Sequence, residues 1–292
     1  MDNALDIYTI DAFTSVPFSG NPAAICHIRN RSLSEEMLQK IATEMNLSET
    51  AYVKSDKENF QEGSNFSLRW FTPTNEVKLC GHATLAAAAS LFYVLRNPNP
   101  VITFNTLSGE LRARNDNGYI TLDLPMNPPV KQDISPEVRA IFDLIFTPTA
   151  KDRIQEVWLS PSAQKLVIRM NDDFAQKDIE ELNPDISKMT ETHDGSKYKG
   201  VIVTTKGSGD YDFLSRYFAP WNGIPEDPVT GSAHTVLAPL WGEILGKKEM
   251  LARQCSKRGG DLKIALREDG RVDVGGKAIV VLKGNLMLPK EA

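Results

Sequence analysis

The sequence predicts an α+β protein made of two pseudo-symmetric domains, each a curved, mostly antiparallel sheet wrapped round one central helix. Three observations predict it. Arg69-Trp70-Phe71-Thr72-Pro73, followed by Gly81-His82-Ala83, is echoed by Arg216-Tyr217-Phe218-Ala219-Pro220, followed by Gly231-Ser232-Ala233. A further echo sets Ser108-Gly109-Glu110-Leu111 against Gly259-Gly260-Asp261-Leu262. The three separations of 147, 150 and 151 residues are close to half of the 292, as a duplicated unit requires. Finally, each copy holds one apolar helix behind its glycine and one hairpin signal, Asn117-Gly118 or Asp269-Gly270. The domains are expected at 1–126 and 127–292, with the last strands free to pack across that boundary.

The elements follow in order. Asp6-Ile7-Tyr8-Thr9-Ile10-Asp11-Ala12-Phe13 is rich in β-branched and aromatic residues and ends near the turn Phe18-Ser19-Gly20-Asn21-Pro22, so it reads as a strand. Ser32-Leu33-Ser34-Glu35 has capping-box spacing, and Leu33, Met37, Leu38, Ile41 and Met45 recur on one helical face. Residues 51–53 and 65–71 read as strands. Residues 83–95 form a helix without a polar stripe, which places it in the middle of its domain. Strands at 101–105, 108–114 and 118–124 follow, and Pro125 with Pro128-Pro129 closes the first half. In the second half, residues 165–170, 200–204 and 211–218 read as strands and 175–182 as a helix. A second apolar helix spans 231–245, where Pro239 should kink it or shift its start. Strands near 250–256, 261–266, 271–274 and 278–283 complete the copy.

Composition excludes several classes of function. A net charge of -5 opposes a nucleic-acid surface. No apolar run reaches the ~18 residues of a membrane span, and Met1-Asp2-Asn3-Ala4-Leu5-Asp6 lacks the basic and apolar regions of a signal peptide, so a soluble, cytoplasmic protein is expected. Cys26, Cys80 and Cys255 are an odd count without Cys-x-x-Cys spacing, which reads as reduced thiols. His82 has no histidine or carboxylate at i+3 or i+4, so no metal is expected.

Candidate chemistry gathers where the copies meet or part. Gly81 and Gly231 both open central helices, whose unpartnered first-turn N–H groups and positive dipole end favour an anion such as a carboxylate or enolate. His82 stands one residue into the first helix, where the second copy has Ser232. Helix N-termini lower a histidine's pKa, so a neutral imidazole able to relay a proton is expected. Asp227, just ahead of the second helix, either caps it or faces the cleft as an acceptor, and spacing leaves Glu226 as an alternative. Glu49 has no acidic counterpart, since the repeat offset lands near Lys197. It is either a solvated edge residue or a cleft carboxylate whose pKa burial raises towards the working pH. Cys80 stands against Thr230 and reads as a buried small residue outside the chemistry, because a thiol facing a hydroxyl cannot form a two-base pair.

Asp11-Ala12-Phe13, Ser19-Gly20-Asn21-Pro22-Ala23-Ala24, Asn46-Leu47-Ser48-Glu49-Thr50, Gly81-His82-Ala83-Thr84 and Glu226-Asp227-Pro228-Val229-Thr230-Gly231-Ser232-Ala233 extend over nearly the whole chain. Together they resemble the signature blocks of the PhzF-like (phenazine biosynthesis-like) family. The resemblance implies the diaminopimelate epimerase-like fold with an active site between its two domains. Its characterised members isomerise a dihydro-hydroxyanthranilate without a cofactor. Their general acid/base falls on Glu49, and its supporting groups fall on His82, Asp227 and Ser232. Asn21, Gly81, Gly231 and Ser232 are the corresponding substrate-binding residues. The reading is therefore a cofactor-independent isomerase moving a proton on a small carboxylate-bearing substrate, and it is compatible with a homodimer. The alternatives are an amino-acid racemase or epimerase, and a binding or scaffold protein that retains the family pocket.

Overall fold

The computed structural model describes residues 4–29, 31–55 and 59–289. Met1-Asp2-Asn3, part of the N-terminus read above, lies outside them. The chain divides into two compact units, one of Met1–Asp123 with Gly275–Ala292 and one of Leu124–Val274.

Unit 1 begins with β1 (Ala4–Ala12), β2 (Asn21–Ile28), α1 (Glu35–Met45), β3 (Thr50–Ser55), β4 (Asn65–Phe71) and β5 (Glu76–Val77). It continues with α2 (Gly81–Ala89), β6 (Val101–Thr106), β7 (Gly109–Asp116) and β8 (Tyr119–Pro125), within which the chain crosses to unit 2. Unit 2 holds β9 (Val130–Lys131), α3 (Pro136–Ile145), α4 (Pro148–Lys151), β10 (Ile154–Ser160), β11 (Lys165–Met170), α5 (Gln176–Glu180) and α6 (Ile186–Met189). It ends with β12 (Gly200–Lys206), β13 (Phe213–Phe218), α7 (Gly231–Leu245), β14 (Glu249–Gln254), β15 (Gly260–Leu266) and β16 (Arg271–Gly276), within which the chain returns to unit 1. The final strand, β17 (Ala278–Met287), pairs with β1. That pairing is why residues 275–292 belong to unit 1, whereas a division at 126/127 along the chain groups them with the second half.

The duplication is visible in the ladders. In unit 1, β1 and β2 are antiparallel, β2 and β3 parallel, β3 and β4 antiparallel, β4 and β6 parallel, and β6 and β7 antiparallel. In unit 2, β10 to β15 repeat that alternation step by step. Registers refine the equivalence. Thr50 lies opposite Phe71 and Val201 opposite Phe218, so matching Arg69-Trp70-Phe71 with Arg216-Tyr217-Phe218 sets Glu49 against Gly200. The counterpart of Glu49 is thus Gly200 rather than a residue near Lys197, because the connection from β3 to β4 is longer than that from β12 to β13.

Each sheet encloses one helix and carries others outside. α2 is buried from His82 to Ala89, as its lack of a polar stripe requires. In unit 1, α1 covers the outer face through Leu38, Ile41 and Ala42 against Leu5, Ile7, Cys26 and Tyr52. In unit 2 a cluster of Val138, Ile141, Phe142, Leu166, Ile168, Val201, Val203 and Phe218 forms the outer layer.

Three local outcomes differ from the sequence reading. α1 starts at Glu35, and its cap is Ser34, whose hydroxyl accepts from the Met37 N–H at 3.2 Å, rather than Ser32. α3, absent from the sequence reading, is capped by Ser135 and led by Pro136, a start signal that was legible. α7 runs unbroken through Pro239 from Gly231. The Thr235 carbonyl that Pro239 cannot serve accepts instead from the Asn127 N–H at 3.0 Å, which satisfies the group a proline leaves orphaned.

Candidate active site

In unit 1 the chain delivers Glu49 by a short, well-anchored route. α1 ends on Asn46 in the left-handed region, φ 49°, where its N–H still donates to the Ala42 carbonyl, a conformation asparagine tolerates. Three residues later the Glu49 carbonyl accepts from the Ala24 N–H of β2 at 3.1 Å, which fixes the backbone as β3 begins. The Glu49 side chain is thereby buried at 6% exposure rather than solvated. Asn21, also buried, opens β2 opposite Ala12. Gly20 before it has φ 66°, and a Cβ there would lie 2.2 Å from the Ala12 carbonyl oxygen, so the turn into Asn21 requires glycine.

His82, the second residue of α2, meets Glu49. Its Nε2 lies 3.1 Å from Glu49 Oε2 and 3.2 Å from Ser48 Oγ, while its Nδ1 lies 3.5 Å from Cys80 Sγ. Burial opposes charge on both partners, yet each is held charged by the other. Burial pushes the Glu49 pKa up, but the His82 charge, with hydrogen bonds from His82, Ser48 and Cys80, brings it below its ordinary value. Burial likewise pushes His82 down, but contact with Cys80 and the Glu49 carboxylate raises it well above its ordinary 6.5. With the Cys80 thiol pushed up to about 11, mainly by burial, the charge that holds the imidazolium is that of Glu49. The expected neutral histidine and up-shifted glutamate are therefore replaced by an ion pair, because a carboxylate at contact distance outweighs both burial and the helix end. Glu49 Oε2 nevertheless accepts no well-directed hydrogen bond.

Glu49, Cys80 and His82 also place one ligand atom each within 4.8 Å of one another, the spacing of a metal site. The imidazole and thiol both carry protons that a cation would have to displace. Cys80, expected outside the chemistry, touches His82. Gly81 begins α2 behind a Cys80 cap position whose side chain makes no capping bond.

In unit 2 the choice between Glu226 and Asp227 is decided by Arg216. Its guanidinium grips Glu226 with Nε–Oε1 at 2.7 Å and Nη2–Oε2 at 2.8 Å, as Arg69 grips Glu76 in unit 1. Glu226 is thus a repeated structural pair. Asp227 is buried at 7% and accepts from Thr230 Oγ1 at 2.5 Å. Gln254 donates to the Asp227 carbonyl at 2.6 Å and accepts from the Thr230 N–H at 2.9 Å. Since the Thr230 hydroxyl serves Asp227, it does not cap α7. Gly231 is buried and Ser232 half-buried in its first turn.

The profile of the family described as "Phenazine biosynthesis-like protein" matches residues 10–284. The chain belongs to the phenazine biosynthesis-like family. It is 50% identical over 289 residues to the human phenazine biosynthesis-like domain-containing protein, covering 97% of this chain and 99% of that one. It is 42% identical to an uncharacterized isomerase of Halalkalibacterium halodurans, covering 97% and 98%. Among solved structures, a phenazine biosynthesis protein of the PhzF family from Enterococcus faecalis superposes with a TM-score of 0.85 at 37% identity, covering 98% of this chain and 100% of that one. A hydroxyproline epimerase from Agrobacterium vitis, at 10% identity and TM-score 0.59 with 98% and 93% covered, shares the fold alone. The chain thus shares its fold with the PhzF-family structure and with that epimerase. No helix among the described residues is long and apolar enough to cross a membrane.

Within the family blocks the structure assembles Glu49 with His82 in unit 1, and Asp227 with the start of α7 in unit 2. Ser48 and Cys80 were legible as neighbours of those motifs, but their contact with the imidazole was not. Gln254, at the end of β14, carries no signal in sequence, because only strand pairing brings it to Asp227.

Proposed function

We propose that the protein is a cofactor-independent isomerase of a small carboxylate-bearing molecule, with Glu49 as its general acid/base. The observation that carries this reading is the buried Glu49–His82 ion pair with Glu49 Oε2 left without a directed hydrogen bond. Glu49 starts as a carboxylate. It takes a proton from a substrate carbon, which leaves the electron pair as an enolate, and it returns that proton to a different carbon. His82 balances the Glu49 charge before the transfer and faces an uncharged acid after it. The uncapped first turn of α2, from Gly81, suits developing negative charge, a role typically worth about 3 kcal/mol. Asn21 is assigned to orienting the substrate. A racemase using Cys80 as a second base is the weaker reading, since a thiol at about 11 is seldom ionised at neutral pH.

The test is solvent deuterium incorporation into small carboxylate-bearing carbon acids. Glu49→Gln should reduce exchange by about 10²- to 10⁴-fold. Exchange undiminished in that variant would remove Glu49 from the mechanism, and inversion of a centre without movement of a double bond would make the enzyme an epimerase.

A further inference from the structure

Lys165 is a buried charged residue of unit 2 that this chemistry leaves unused. It opens β11 at 9% exposure, and its Nζ donates to the Ala163 carbonyl at 3.3 Å. Among the described residues no ion pair includes it, and Asp227 acts on it only at longer range. A buried ammonium without an anion in contact is costly, and structural lysines usually reach water with their head groups.

Tyr217 fills the space beside this position. Gly200 faces Lys165 in the parallel register of β11 and β12, and a Cβ on Gly200 would lie 2.3 Å from the Tyr217 hydroxyl. Lys165 Nζ sits 5.2 Å from the Tyr217 ring centroid. The Tyr217 carbonyl accepts from the Asp227 N–H at 3.1 Å, and Asp227 holds Thr230 at the start of α7. Lys165, Tyr217, Asp227 and the uncapped first turn of α7 are therefore one connected cluster. Gly200 is also the counterpart of Glu49, so the repeat is broken here by charge. Unit 1 places a carboxylate at this strand start, and unit 2 places a glycine with an ammonium beside it.

We propose that Lys165 is the anion-recognition residue of unit 2, its ammonium binding the carboxylate of a small organic acid beside the first turn of α7. This deepens the isomerase reading, on which it rests for the substrate class. An ammonium and a helix N-terminus favour the same ligand charge. Burial lowers the Lys165 pKa to about 8, against the opposing pull of Asp227, so the amine is mostly charged at neutral pH. The titratable groups facing it are Tyr217 of β13, whose phenol burial keeps protonated, and Asp227 in the connection that follows. Binding should therefore weaken as pH rises through about 8.

Calorimetric titration with benzoate and with its neutral isostere benzamide tests this on the full chain. Wild type should prefer benzoate by about tenfold or more. That preference should fall by up to about tenfold per pH unit above the Lys165 pKa. Lys165→Met should abolish it, and Lys165→Arg should retain it and extend it to higher pH. Absence of a benzoate preference in wild type, its survival in Lys165→Met, or identical pH profiles for lysine and arginine would overturn the proposal. The wild-type pH profile serves even if Lys165→Met fails to fold. Because the assay needs no turnover, failed deuterium exchange would sink the isomerase reading and leave this result standing.

Discussion

At the scale of the residue, the Glu49–His82 pair sets a pH window. Glu49 has a depressed folded pKa, so its stabilisation is present above the ordinary value of 4.5 and is lost as pH falls through the lower folded value. His82 has a raised folded pKa, so its stabilisation is complete below 6.5 and is lost as pH rises through the higher folded value. Wild type should therefore lose melting temperature in an alkaline step that His82→Gln lacks, and superimposable alkaline profiles would count against the pair. Glu49→Gln should cost less than the ~3–5 kcal/mol of an orphaned buried charge, because His82 can shed its proton. In that variant burial becomes the dominant influence, and the His82 pKa read from its imidazole NMR signals should drop below 6.5. The candidacy of Glu49 was legible only through the family motif, since the residue alone read equally well as a solvated edge group. Its ion pair was not legible, because Glu49 and His82 are brought together by β3 and α2 rather than by spacing.

At the scale of the element, the same Arg-to-Glu clamp is used twice in different surroundings. Arg216 is nearly buried, at 8% exposure of its side chain, and also donates to the carbonyls of Ile179, Glu180 and Leu182. Arg69 is 33% exposed. Arg216→Met should therefore cost about 3–5 kcal/mol by stranding Glu226 and three carbonyls, while Arg69→Met should cost about 1 kcal/mol or less. Urea unfolding of the two variants measures the difference, and equal costs would show that burial does not set the value of the clamp. The central helices were legible from composition, because an all-apolar helix has no face for water. The continuity of α7 through Pro239 was not, because the Asn127 N–H that satisfies Thr235 comes from a distant part of the chain.

At the scale of the whole molecule, the chain closes unit 1 with its last strand. β17 pairs along the length of β1, from Ala4 with Met287 to Ala12 with Ala278. Truncation before Ala278 should therefore expose β1 and β2 to amide hydrogen exchange while β10 to β15 keep their protection. Loss of protection spread evenly over both units would show that they do not unfold separately. Local signals marked where strands and helices begin, but the assignment of β17 to unit 1 depends on which edge it meets after folding.

The sequence by itself determined the duplicated α+β plan, the two glycine-led central helices, the family and the candidate residues, because these rest on periodicity, turn chemistry and motifs local to the chain. Only the tertiary structure decided that Glu49 and His82 are a charged pair, that Glu226 belongs to Arg216, and that Glu49 answers to Gly200 with Lys165 beside it. Those outcomes depend on strand register and on burial, which set distance and desolvation, and neither quantity is written in a stretch of residues before the sheet has formed.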